Sequence, residues 1–227
     1  MTIQEFKRIV WDHYCLIEND FITTFPYVSL DKGNFKTYSD RYFALQQMIG
    51  SEIDVVLKEI CSLLPSIPGN SLKNICHYCE YISNNLSNFI NERVWVYKLS
   101  QDIIPWNNWT FSKAPLTKGG FRYSGNNPNW WAAYNSTKHH RCSSSSGKPN
   151  YTKANLENVL YSLAGLYVCN LYLFSLLLIN NPGYQMCNVA LKPSKVFDIS
   201  TNNSQHTSTF CSTSFAINGV LIPFDAF

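Results

Sequence analysis

Apolar side chains recur every three to four residues over several long stretches of this chain, a spacing that predicts a mainly α-helical protein. Ile3, Phe6, Ile9, Val10, Tyr14 and Ile17 share one face of a first helix, and Thr2 with Glu5 has the spacing of a capping box at its start. Tyr42, Leu45, Ile49, Ile53, Val56, Ile60 and Leu63 form the stripe of a second helix over residues 39–64, which Pro65, Pro68 and Gly69 stop. Leu72, Ile75, Cys79, Ile82, Leu86 and Phe89 carry the same period through a third helix. From about 152 to 180 the polar face disappears, and no charged residue follows Glu157. Residues 159–179 are long enough to span a bilayer. Ser162, Gly165, Asn170 and Ser175 interrupt them, however, and each amphipathic neighbour needs an apolar partner. The pattern therefore predicts the central helix of a bundle, with no membrane involved.

Other stretches follow different rules. Residues 93–97 have the texture of a short strand, and the run from there to Asn129, rich in Trp, Pro, Gly and Asn, reads as a long ordered connection. Asn127 and Pro128 restart a helix as cap and first-turn proline, and it continues to about Cys142 before the serine run 143–146. Near the end, Asn218-Gly219 between apolar flanks predicts a two-residue hairpin over 215–222, closed by Pro223. The expected architecture is a bundle of about five helices over 1–182 and a small β-containing appendage over 183–227.

Composition narrows the function. A net charge of +3 is too small for a strongly basic nucleic-acid binder, so any affinity for phosphate must come from a local patch. The first residues carry charges at Glu5, Lys7, Arg8 and Asp12 with no apolar run of a secretory signal, which predicts a cytoplasmic protein whose eight cysteines are reduced thiols. Cys76 and Cys79 make a lone Cys-x-x-Cys, and Cys79 belongs to an apolar stripe, so it reads as core and not as half of a zinc site. No phosphate-binding glycine loop, serine-nucleophile motif or dinucleotide fingerprint is present, and neither a metal nor a cofactor is expected.

The candidate chemistry is concentrated in residues 130–141, Trp-Trp-Ala-Ala-Tyr-Asn-Ser-Thr-Lys-His-His-Arg. Asn135 and His139 lie four apart and share a helical face, and the small Ala132 on that side leaves room for an approaching group. A histidine that titrates near neutrality, an amide to orient it, and the cations Lys138 and Arg141 are the minimum equipment for acid–base cleavage of a phosphodiester. They would equally serve to hold a phosphate, or stand as a solvated helix end that complements the macrodipole. Glu52, at the edge of the second helix's stripe, is expected to be paired, either in a structural ion pair or facing the cations of this segment. The aromatic connection, with Trp95, Trp106, Trp109, Phe111, Phe121 and Tyr123 near Lys118 and Arg122, is either a stacking surface for bases or a satellite core.

The pattern Trp-Trp-x-x-Tyr-Asn-x-x-Lys-His-x-Arg, followed by Ala154-Asn155-Leu156-x-Asn158-Val159-Leu160 and preceded by Ser51-Glu52-Ile53-Asp54-Val55-Val56-x-Lys58, resembles uncharacterised bacterial proteins related to the HEPN superfamily. The resemblance covers about residues 38–180. It implies a HEPN-like helical bundle and an RNA-directed role in bacterial stress or phage defence. Some relatives are metal-independent endoribonucleases that act as homodimers alongside an antitoxin. Others only bind RNA, nucleotide or a partner protein. On this resemblance His139 is the general acid or base, Asn135 orients it, Arg141 and Lys138 hold phosphate, and Tyr134, Trp131, Glu52 and Arg122 contact substrate. The departure is at Tyr134, which stands where the family's motif has an arginine.

Overall fold

Each long helix but one begins at a side chain that satisfies its free backbone amides. In the computed structural model, which describes residues 1–65, 74–117, 121–145, 147–181 and 191–200 together with the backbone of 213–217 and 220–224, Thr2 and Glu5 close the expected capping box. Helix α1 then runs through Ile3–Glu5, a π-helical stretch Phe6–Trp11 and Asp12–Ile22. Ser39 caps α2 (Asp40–Leu63), Asn74 caps α3 (Ile75–Asn85), and Asn155 caps α5 (Leu156–Asn180). Helix α4 (Asn129–His140) differs: Pro128 itself occupies the cap position and supplies no side-chain hydrogen bond, so the helix starts one residue later than an Asn127 cap would place it. The expected stops at Pro68 and Gly69 and the start of α3 at Leu72 lie outside the described residues.

Helix α5 is the centre of the molecule. In its most apolar stretch 94% of the residues are buried by the rest of the chain, because α1, α2 and α4 all lay their apolar faces against it. A helix apolar all round is stable in water only when surrounded in this way. Its first turn begins at Leu156, since residues Asn150–Lys153 form a separate 3-10 turn.

The long connection is more ordered than its composition suggests. Strands β1 (Val94–Val96) and β2 (Gln101–Ile103) pair antiparallel, and β3 (Ser112–Pro115) pairs with β4 (Phe121–Ser124) in a hairpin. A two-residue pair, β5 (Ser144–Ser145) and β6 (Lys148–Pro149), follows α4. Strand β7 (Phe197–Ile199) adds to the free edge of β1, so residues far apart in sequence complete one three-stranded sheet. The tail strands β8 (Thr213–Ile217) and β9 (Val220–Phe224) pair with Ile217 opposite Val220, in register with a two-residue connection. Asn218 and Gly219 are outside the described residues, and Pro223 lies within β9 opposite Ser214 instead of ending the hairpin.

The segment before β7 is fastened to α1 through a buried carboxylate. Glu18 is 2% exposed and accepts hydrogen bonds from the Tyr14 hydroxyl at 2.9 Å, the Ser194 hydroxyl, and the backbone amides of Lys195 at 2.9 Å and Val196 at 3.4 Å. Four donors are what keep a buried carboxylate tolerable. Trp11 adds a bond from its indole N–H to the Lys192 carbonyl at 3.0 Å.

Candidate functional site

Helix α4 has two unlike faces. Trp130, Ala133, Tyr134 and Thr137, spaced three and four apart, are buried together with Trp131. Ala132, Asn135, Ser136 and His139 form the opposite, accessible stripe. The pairing of Asn135 and His139 on one face is thus present, one turn apart, on the solvent side. Among the described residues neither Asn135 nor His139 has a side-chain hydrogen bond. The His139 ring lies 6.4 Å from that of His140, centroid to centroid.

Tyr134 and Trp131, expected at a ligand surface, face the core instead. Tyr134 is 4% exposed, and its ring packs so close to α2 that a Cβ on Gly50 would lie 2.5 Å from Tyr134 Cε2. Trp131 is 6% exposed and tilts against Tyr134 at 5.2 Å. Thr137 completes the contact, accepting from the Gln47 amide at 2.9 Å and donating to the Tyr134 carbonyl at 2.9 Å. Position 134, where the resemblance expects an arginine, is therefore an aromatic packing position in this fold.

The two expected phosphate-holding cations stay at the surface, each on an aromatic support. Lys138 donates from Nζ to the Tyr134 hydroxyl at 3.1 Å, and the Arg141 guanidinium sits 5.0 Å above the Phe43 ring. Both side chains remain exposed, so their charge is available while their stems are ordered. Glu52 is placed elsewhere: it meets His13 Nε2 of α1 at 3.5 Å. Arg122 projects from the β3–β4 hairpin with Ala114 as its cross-strand partner.

The aromatic connection divides in two. Trp106 and Trp109 are buried, their rings 4.5 Å apart, and pack with Phe89 and Trp130 as part of the main core instead of a satellite one, Trp106 donating its indole N–H to the Gly165 carbonyl of α5 at 3.2 Å. Phe121 and Tyr123 stay at the hairpin surface, where Lys113 lies over both rings and pairs with Glu80 at 2.9 Å. Cys79 is buried beside Ser83, and burial pushes its thiol up to about 11. Among the described residues no three His, Cys, Asp or Glu side chains converge as a metal site would require.

What sequence reasoning missed is a groove of about 640 Å³ beside the N-terminal half of α4. Ala132 and Ser136 of the accessible stripe form one wall, and Lys36, Lys153, Asn127 and Asn158 supply polar groups from separate segments, with the carboxylates of Asp102 and Glu157 also in the lining. Lys153 donates to Ser136 Oγ at 3.3 Å, while Lys36 pairs with Glu157 at 2.5 Å. The signal for this region was in the charge order. Residues 103–156 contain seven Lys and Arg and no Asp or Glu, whereas the rest of the chain holds eleven against fifteen. The whole net positive charge thus originates in the segment that carries α4, one side of the groove and both the β3–β4 and β5–β6 hairpins. The chain matches no protein-family model, no curated protein and no solved structure.

Proposed function

We propose that this chain is a catalytically inactive HEPN-like module that binds RNA or nucleotide through the accessible stripe of α4 and the adjoining groove, in a bacterial stress or phage-defence setting. The observation that carries this reading is the charge segregation: residues 103–156 hold no acid, and four of their seven cations, Lys138, Arg141, Lys148 and Lys153, lie in α4 and the turns that follow it. Phosphate contacts draw their affinity from such local positive charge, whatever the net charge of the whole chain.

Binding without cleavage is favoured by Tyr134. Cleavage needs a cation poised where charge develops in the transition state. The motif position for that cation is filled by a ring sealed against Gly50, and an arginine there would bring a charge into the α2–α4 contact. Lys138 and Arg141 are exposed, which supports a role in holding a phosphate, and the accessible Asn135 and His139 would contact it from the neighbouring stripe.

The test is a short labelled oligoribonucleotide incubated with purified protein in the presence of a chelator. The expected outcome is saturable, salt-sensitive binding with intact RNA, weakened on the order of ten-fold in Lys138→Ala/Arg141→Ala. Chelator-resistant cleavage that disappears in His139→Ala would instead establish a nuclease. Absence of binding at low salt would refute the RNA reading itself.

A further inference from the structure

At the C-terminal end of α4 four planar groups form a continuous surface cluster. Tyr38 meets Tyr151 edge to face with centroids 5.9 Å apart, Tyr151 tilts against Phe43 at 5.8 Å, and Phe43 carries the Arg141 guanidinium at 5.0 Å. Such a cluster usually belongs in a core, yet Tyr38 is 50% exposed, and Phe43 and Tyr151 are only partly buried. An edge-to-face contact uses a face of one ring and merely an edge of the other, so ring faces are left open to a further planar group.

The cluster is also held rigid. Tyr38 bridges Asn155, the Leu156 amide donates to the Thr37 carbonyl at 2.9 Å, and the Glu157 amide donates to the Phe35 carbonyl at 3.1 Å. Tyr151 donates its hydroxyl to Asp40 at 2.5 Å, and its backbone amide bonds the Arg141 carbonyl at 3.2 Å. Arg141 is the cation in contact with it, the Asp40 carboxylate touches it through Tyr151, and two further exposed cations belong to neighbouring elements. Lys138 and Arg141 come from the last turn of α4 and its cap, and Lys148 from β6. The 3-10 turn Asn150–Lys153 links the cluster to the groove, since Tyr151 belongs to one and Lys153 to the other.

We propose that the Tyr38–Tyr151–Phe43–Arg141 cluster is a stacking platform for unpaired bases, which makes single-stranded RNA the ligand class of this face in preference to duplex RNA. The inference rests on the RNA-binding reading above. Bases within a duplex are already stacked on their neighbours and cannot offer a free π face, whereas an open strand presents one at every nucleotide. The flanking cations suit a phosphate backbone that passes the platform edge, with the groove accepting a nucleotide farther along the strand.

The experiment compares binding of a short unstructured oligoribonucleotide carrying one 2-aminopurine with binding of its duplex, for wild type, Tyr38→Ala, Tyr38→Phe and Arg141→Gln. Wild type is expected to prefer the single strand and to quench the 2-aminopurine. Tyr38→Ala is expected to weaken single-strand binding on the order of ten-fold and to lose the quenching, whereas Tyr38→Phe retains both. Arg141→Gln lies at the exposed end of the platform, and its expected loss of affinity tests the same platform should Tyr38→Ala fold poorly. If wild type binds the single strand and all variants bind and quench equally, the platform is wrong and the RNA reading survives. A preference for duplex also overturns the platform. No binding to either form removes the RNA reading and the platform together.

Discussion

Single side chains in this protein are governed mainly by whether water reaches them. Glu92 shows the effect on a carboxylate. Burial raises its pKa, and the Tyr172 hydroxyl at 2.7 Å offsets that only in part. A carboxylate whose folded pKa lies above its unfolded value stabilises the fold fully below the unfolded pKa, and that contribution is lost as pH rises through the folded one. Glu92→Gln, which keeps an acceptor for Tyr172, is therefore expected to flatten the decline of melting temperature above pH about 4.5. A pH series of thermal melts that runs parallel for wild type and variant would show that Glu92 titrates as an exposed group does. Periodicity marked most of the residues that are buried, missing at Ile9, which the π-helical stretch leaves 55% exposed, but at this scale it did not name their partners. Glu52 was legible as a carboxylate needing company, and its partner His13 was not, because their meeting depends on how α1 crosses α2.

At the scale of elements, the α2–α4 contact sets both packing and chemistry. Helix propensity alone favours Gly50→Ala by about 1 kcal/mol. The added methyl, however, would lie 2.5 Å from a Tyr134 ring that Trp131 backs, and overpacking of this kind costs roughly 1–3 kcal/mol. Net destabilisation is expected at Gly50. Gly165→Ala, whose methyl would approach Trp130 Cζ2 at 3.1 Å, is expected to be milder. Urea midpoints for the two variants decide the point: equal or higher stability in Gly50→Ala would mean that α4 yields easily. Sequence periodicity separated the faces of α4 correctly for Asn135 and His139, four residues apart. It could not show that Tyr134 turns inward, since an aromatic suits a core and a binding surface equally well. The glycine that admits Tyr134 lies on a different helix.

For the whole molecule, the long-range closures matter most. Glu18 joins α1 to residues 194–196 across more than 170 positions of chain, and β7 then completes the sheet begun by β1. Removing the carboxylate in Glu18→Ala leaves the Ser194 hydroxyl and the Lys195 amide without their acceptor, at roughly 1–3 kcal/mol for each group that stays buried, while the Val196 amide and the Tyr14 hydroxyl keep Ser194 Oγ within 3.3 Å. The expected result is a lower melting temperature together with faster hydrogen exchange at the amides of residues 195–199. Unchanged exchange there would show that the β1–β7 pairing, and not Glu18, holds the segment.

By itself the sequence determined the helical class, the central place of α5, the capping box of α1 and the paired tail strands. Each of these follows from spacing within a short window: a 3.6-residue apolar period, a cap beside its own helix, a turn between its own flanks. Tertiary structure alone decided the inward turn of Tyr134, the seating of Arg141 on Phe43, the Tyr38–Tyr151 contact and the groove shared by Lys36, Ser136 and Lys153. These depend on segments distant in sequence arriving at one place, and local spacing carries no record of such meetings. The run of cations lies between the two cases. Its charge is fixed by sequence, and only folding gathers part of it around one face.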